Sequence, residues 1–204
     1  MAKRRLQAAV AAEMATVLDR YNPKAGFVDG WRAWTLSTLA VVQVREQLKG
    51  FSVPSFKKEA ASIFCGVGTA LASADHRKLR TLTTPMCYAT MSGSLSQRPA
   101  GEQHLWEALD VTASLKQVRV GHHKSSPDHR FAQITCAVNA KLIWSIRDAH
   151  GQAIGGVGTA EEPFDLSDYW VFERCITGDA AGDAHSWRLK ARIEGAATKP
   201  VAGG

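Results

Sequence analysis

From Ala132 to Ile146 every even position is apolar (Ala132, Ile134, Cys136, Val138, Ala140, Leu142, Trp144, Ile146), while most odd positions are polar (Gln133, Thr135, Asn139, Lys141, Ser145). A period of two places alternate side chains on opposite faces and predicts a half-buried β-strand. The run exceeds the usual strand of about five or six residues, so it is expected to bend with its sheet through a bulge. A second alternating region runs from Tyr169 to Ile193. Its first arm is Tyr169-Trp-Val-Phe-Glu-Arg-Cys-Ile176; in its second, Trp187, Leu189, Ala191 and Ile193 alternate with Arg188, Lys190 and Arg192. Two apolar arms around a turn predict a hairpin with a core face and a cationic face. Leu105–Val120 reads as a strand with imperfect alternation, Gly121–Asp128 as a polar loop, and Gln152–Gly158 as a short Gly-rich strand or loop.

Upstream the period changes. From Ser55, taken as an N-cap, Ala60, Ile63, Phe64, Val67, Ala70 and Leu71 recur at three- and four-residue steps and predict a core-facing helix. Gly66 and Gly68 inside it each cost about 1 kcal/mol relative to Ala, so they are expected to admit another element closely. Asp29–Lys49 predicts a helix closed by Gly50, although Val41, Val42 and Val44 weaken it. Phe51–Pro54 reads as a linker, Asp75–Leu82 as a short helix, and Met86–Met91 as one further turn before a loop over Ser92–Gly101. Residues 1–20 predict a basic, weakly amphipathic helix through Leu6, Val10, Met14, Val17 and Leu18. Helices first and antiparallel strands afterwards give an α+β fold, with helices packed on one face of a strongly curved sheet.

Composition changes this picture in one respect. The 204 residues carry a net charge of +6, and residues 1–58 supply all of it with ten Lys/Arg against four acids. A basic arm on a neutral body suits a polyanion, either nucleic acid or an anionic membrane face; a solubilising terminus accounts for it equally well. The acid-poor beginning also resembles an organellar transit peptide, with a retained arm as the alternative. No apolar run reaches membrane-spanning length, so the chain is not expected to cross a bilayer. Cys65, Cys87, Cys136 and Cys175 are far apart in apolar patterns, which reads as buried thiols in a reducing compartment.

Particular residues carry a resemblance. Phe131-Ala-Gln-Ile-Thr, Lys141-Leu-Ile-Trp-Ser-Ile-Arg-Asp148, Asp168-Tyr-Trp-Val-Phe-Glu-Arg174 and Trp187-Arg-Leu-Lys-Ala-Arg-Ile193 together resemble the Tim44-like domain family, and its mitochondrial ribosomal branch more than its protein-import branch. The resemblance covers residues 55–193. It implies a nuclear-transport-factor-two-like (cystatin-like) cone, preceded by a basic helical extension over 1–54 and followed by a flexible tail over 194–204. It also implies a non-catalytic structural component of the mitochondrial large ribosomal subunit in the matrix, near the nascent-chain exit and inner membrane. The implied partners are ribosomal RNA and neighbouring large-subunit proteins, with peripheral membrane contact and no small-molecule substrate. The acidic, Ala/Gly-rich connection Thr177–Ser186 and the segment Gly155-Gly-Val-Gly158 depart from the family's pattern.

No motif competes with this reading. His122, His123, His129 and Cys136 match no zinc spacing, no Gly-x-Ser-x-Gly or Cys-His signature frames a nucleophile, and Gly155–Gly158 lacks the Lys-Ser/Thr ending of a phosphate loop. Neither cofactor nor metal is expected. Asp110, Asp148 and Tyr88 are catalytic candidates by residue type only, and an exposed or turn role suits them better. Glu173 is expected to meet Arg188, Lys190 or Arg192 across the hairpin, an ion pair worth about 0.2–1 kcal/mol. Lys3, Arg4, Arg5, Arg188, Lys190 and Arg192 are the expected contacts to RNA phosphates or anionic lipid. An inner-membrane import tether and a cone-fold small-molecule enzyme are the alternative functions.

Overall fold

The structure is a computed structural model that describes residues 13–14, 16–123, 126–177 and 186–193. Among the described residues, four helices, α1 (Phe27–Gln47), α2 (Val53–Ala72), α3 (His76–Leu82) and α4 (Pro85–Ser96), precede five strands. These are β1 (Gln103–His123), β2 (Ser126–Arg147), β3 (Ala153–Val157), β4 (Phe164–Cys175) and β5 (Arg188–Ile193). The sheet is antiparallel in the order β1-β2-β4-β5, with β3 pairing on β2. Helices lie against one face of it, as the change of period predicts.

The core forms between α2 and the even-numbered face of β2. Phe56, Ala60, Ile63, Phe64, Val67 and Ala70 of α2 are buried in one cluster with Ala132, Ile134, Cys136, Val138, Ala140 and Leu142. Each fully buried large apolar side chain contributes roughly 1.5–3 kcal/mol. Aromatic rings pack within this core: Phe56 lies edge-on to Trp187 at 4.8 Å and Phe64 to Trp170 at 4.8 Å. The two helix glycines are close-approach points. A Cβ at Gly66 would lie 2.7 Å from Leu82 Cδ1, and one at Gly68 would enter the Trp106 ring. Ala40 and Val44 of α1 and Leu48, its C-cap, belong to the same cluster.

Curvature comes from breaks in register. β1 slips against β2 between Leu109 and Thr112 and between Leu115 and Gln117, which accounts for its imperfect alternation. Asp110 takes a positive φ of 50° at the first slip, a conformation Asp tolerates better than most residues. In the closing hairpin, Val171 pairs with Ala191 but Phe172 with Leu189, so Lys190 is the extra residue of a bulge.

Several boundaries differ from the sequence expectations. α2 is capped by Ser52, whose hydroxyl accepts the Ser55 N–H at 3.2 Å, and not by Ser55. Pro54 sits in its first turn, where its missing N–H costs nothing, so the expected linker is partly helix. α4 continues to Ser96 through the expected loop. The expected polar loop Gly121–Asp128 is mostly ladder, paired as far as His123 with Ser126. Residues 13–14 and 16–21 are not helical but cross the sheet as an irregular strap. Met14 and Leu18 are four apart, and four is close to a helical turn and also a multiple of two. The spacing therefore suits an extended segment equally well. The Thr177–Ser186 connection and the 194–204 tail fall largely or wholly outside the described residues.

Candidate functional site

The odd-numbered face of β2 reads as a solvent face, yet Phe131, Gln133, Thr135 and Ala137 are all buried. Part of the cover is the strap. Met14 and Leu18 pack with Phe131 and Cys175 in a second apolar cluster on the side of the sheet away from the helices. The strap runs across the strands, so a ladder cannot form, and sheet side chains bind it instead. Glu173 Oε1 accepts the Met14 N–H at 3.0 Å. Gln133 donates to the Thr16 carbonyl at 3.0 Å and accepts the Leu18 N–H at 2.6 Å. It also donates to Glu173 Oε2 at 2.7 Å, so one amide ties β2, β4 and the strap together.

Each end of the strap is an ion pair. Lys190 Nζ donates to Glu13 Oε2 at 2.9 Å and also to the Met14 carbonyl. The other oxygen of Glu13 accepts the Met86 N–H at 2.9 Å, placing an anion in the first turn of α4. Asp19 receives Arg119 at 2.6 Å and Gln117 at 3.2 Å. Tyr21 then rests beside Tyr169, ring centroids 5.0 Å apart. Burial pushes the Glu173 carboxyl above its ordinary value; Lys190, Gln133 and the Met14 N–H pull the other way, and Glu13 reinforces the rise.

The expected cations separate in this setting. Lys190 is 5% exposed and engaged by the strap, and does not lie on a solvated row. Arg188 is half-buried, in register with Glu173. Arg192 keeps an exposed side chain, although its Nε donates to the buried carboxylate of Asp168. Lys3, Arg4 and Arg5 lie outside the described residues. Glu173 does sit among the hairpin cations, but its direct hydrogen bonds go to Gln133 and Met14. Glu13, Asp19, Gln117, Arg119 and Gln133 are missing from the sequence expectations. The available signals were Phe131 on a nominally polar face and an acid inside an apolar strand.

Two surface features accompany the strap. A cleft of about 680 Å³ opens between the strap end and α1, lined in part by Arg20, Arg32, Lys116 and Trp34. The outward face of α1 carries Phe27, Val28, Trp31, Trp34, Leu39 and Val42, all exposed, with Trp31 and Trp34 in ring contact at 5.3 Å. The helix packs through smaller groups, Ser37, Ala40 and Val44. No helix among the described residues is long and apolar enough to cross a membrane.

The residues named as catalytic by type have structural roles. Asp148 accepts the N–H groups of His150 and Gln152 at 2.8 and 2.9 Å, which makes it a turn residue. Tyr88 meets His76 at 3.1 Å and Arg80 over its ring. Asp110 forms the β1 bulge. A second cleft, about 420 Å³, lies at the start of α2 beside Glu59, Arg174 and Trp187. Burial raises the Glu59 carboxyl there, while the Trp187 backbone and Arg174 oppose the rise.

The sequence pattern of the Tim44-like domain family matches residues 37–194. Two curated relatives are each named large ribosomal subunit protein mL45. The one from Xenopus laevis is 28% identical and the one from Xenopus tropicalis 27% identical, each over 158 residues, 77% of this chain and 48% of the relative. The chain thus spans about half the length of the curated relatives it matches. The family match begins inside α1, earlier than the expected start at residue 55.

Proposed function

Because the chain belongs to the Tim44-like domain family, we propose that it is a structural, non-catalytic component of the mitochondrial large ribosomal subunit. The observation that carries this is similarity along 77% of the chain to proteins named for that subunit. The edge-on packing of Phe64 on Trp170 inside the main core supports it, because an enzyme of this cone shape would need a substrate cavity between helices and sheet. In this reading the protein sits in the matrix, bound to the ribosome near the nascent-chain exit and facing the inner membrane.

Contact with ribosomal RNA is through phosphate and shape. Arg192 and the cleft cations Arg20, Arg32 and Lys116 are the described contact groups, joined by the arm Lys3, Arg4 and Arg5. Lys190, held by Glu13 and Met14, contributes to the strap and not to RNA. Neighbouring large-subunit proteins or the membrane surface cover the outward face of α1.

Sedimentation of epitope-tagged protein from mitochondrial lysate tests the proposal. The expected result is co-migration with the large subunit at moderate salt, weakened as salt rises, since phosphate contacts release counterions. Absence from that fraction would overturn it, and co-purification with the inner-membrane translocase instead would establish the import-tether alternative.

A further inference from the structure

We infer that the outer face of the sheet is a binding channel for an extended peptide, and that the strap residues 13–14 and 16–19 are its ligand supplied in cis. The pattern it selects is acid–Met–three residues–Leu–acid, as in Glu13, Met14, Leu18 and Asp19. The inference stands independently of the ribosomal reading.

The main chain of Met14, Thr16 and Leu18 is held by side chains of other elements. Met14 is gripped at both ends of its residue, its N–H by Glu173 and its carbonyl by Lys190. Gln133 takes the Thr16 carbonyl and the Leu18 N–H with the two ends of one amide. These contacts read backbone and are indifferent to sequence. Specificity comes from four side chains. Glu13 and Asp19 meet Lys190 and Arg119 at the two ends, and Met14 and Leu18 enter the cluster of Phe131 and Cys175. Gly121 lies under Leu18: a Cβ there would be 2.7 Å from Leu18 Cδ1, so the leucine packs directly on the strand backbone.

The channel also has the properties of a site that exchanges its occupant. Its gripping residues Gln133, Glu173 and Lys190 are 3%, 1% and 5% exposed and are positioned by the sheet. Gln133 and Glu173 are hydrogen-bonded to each other as well as to the strap. The apolar cluster under the strap is separate from the main core between helices and sheet. Release of the strap therefore removes Met14 and Leu18 from a small satellite cluster and leaves the main core in place. Side-chain grips without a ladder allow a peptide to be replaced without reordering any strand.

The test uses the full chain and a fluorescein-labelled synthetic peptide covering residues 11–21. In the unmodified protein the tethered segment competes at high effective concentration. In the double variant Glu13→Lys, Asp19→Lys both end anchors are reversed. Fluorescence anisotropy is expected to show the peptide binding the double variant at least about tenfold more tightly than the unmodified chain, as removal of an intramolecular competitor requires. The same peptide with Asp in place of Met14 and Leu18 is expected to lose that binding. Equal affinity for both proteins, equal affinity for both peptides, or no binding to a folded double variant would overturn the proposal. Amide hydrogen exchange on the unmodified chain provides a reading that needs no variant. Met14 and Leu18 amides are expected to be protected yet to open well before those of Ile134 and Phe172. Exchange of all four together would make the strap an integral part of the fold and overturn exchangeability.

Discussion

Lys190 Nζ and Glu13 Oε2 are 2.9 Å apart although 177 positions separate them in sequence. The pair joins the last strand to the strap, and the lysine side chain is 3% exposed. It is therefore unlike the exposed ion pairs worth about 0.2–1 kcal/mol. Its energetic signature is the charge left behind when one member is removed.

Replacing Lys190 with Met tests this directly. The substitution keeps the aliphatic stem but leaves Glu13, the Met14 carbonyl and nearby Glu173 without their cation. Breaking a buried pair from one side costs about 3–5 kcal/mol. The urea midpoint is expected to fall accordingly with no change in slope. A loss below about 1 kcal/mol would place Lys190 with the surface pairs.

Glu173 sets a pH dependence. Burial raises its native carboxyl above the ordinary value of 4.5, so between 4.5 and the native value the folded state binds more protons than the unfolded state. Its contribution to stability is fully present below pH 4.5 and is lost as pH rises through the native value. Glu173→Gln removes this titration. The difference in unfolding free energy, native protein minus variant, is expected to fall as pH rises from 4.5 and then level off. A flat difference, or a rising one, would contradict the role of burial.

Gly68 is expected to reject even a methyl group. Helix propensity alone favours Ala by about 1 kcal/mol, but the added Cβ would enter the ring of Trp106, which packs from β1 against α2. Overpacking costs about 1–3 kcal/mol, so Gly68→Ala should destabilise on balance. Thermal unfolding of Gly68→Ala beside Gly93→Ala, at a helix glycine with open space around it, separates the two effects.

Two tryptophans should behave in opposite ways. Trp187, 2% exposed against Phe56 and Phe51, is expected to cost about 3–5 kcal/mol on replacement by Ala. Trp31, 62% exposed, should change stability by less than about 0.5 kcal/mol while weakening association with the large-subunit fraction. Denaturant melts and sedimentation of the same two variants check both halves of this expectation.

Much of the fold was legible because periodicity encodes burial directly. The even positions of β2 and the three-and-four steps of α2 each named the core face that forms. Element ends were less legible. A proline in the first turn of α2 and a strand continuing through His122 both depend on what surrounds them. The site was least legible. Lys190 alternates with apolar neighbours as a solvent-facing cation would, and the bulge and strap that bury it leave no local mark.

Sequence by itself determined the α+β order, the two core-facing patterns, the need for small residues at Gly66 and Gly68, and the family. These rest on local period and side-chain volume, which neighbours in the chain already specify. Only the tertiary structure decided that residues 13–14 and 16–19 lie across the sheet and that Glu13 and Asp19 close on Lys190 and Arg119. Those contacts pair groups about 100 or more positions apart. Their energy comes from desolvated charge and main-chain hydrogen bonds that exist only once the sheet has brought residues from its strands β1, β2, β4 and β5 into line.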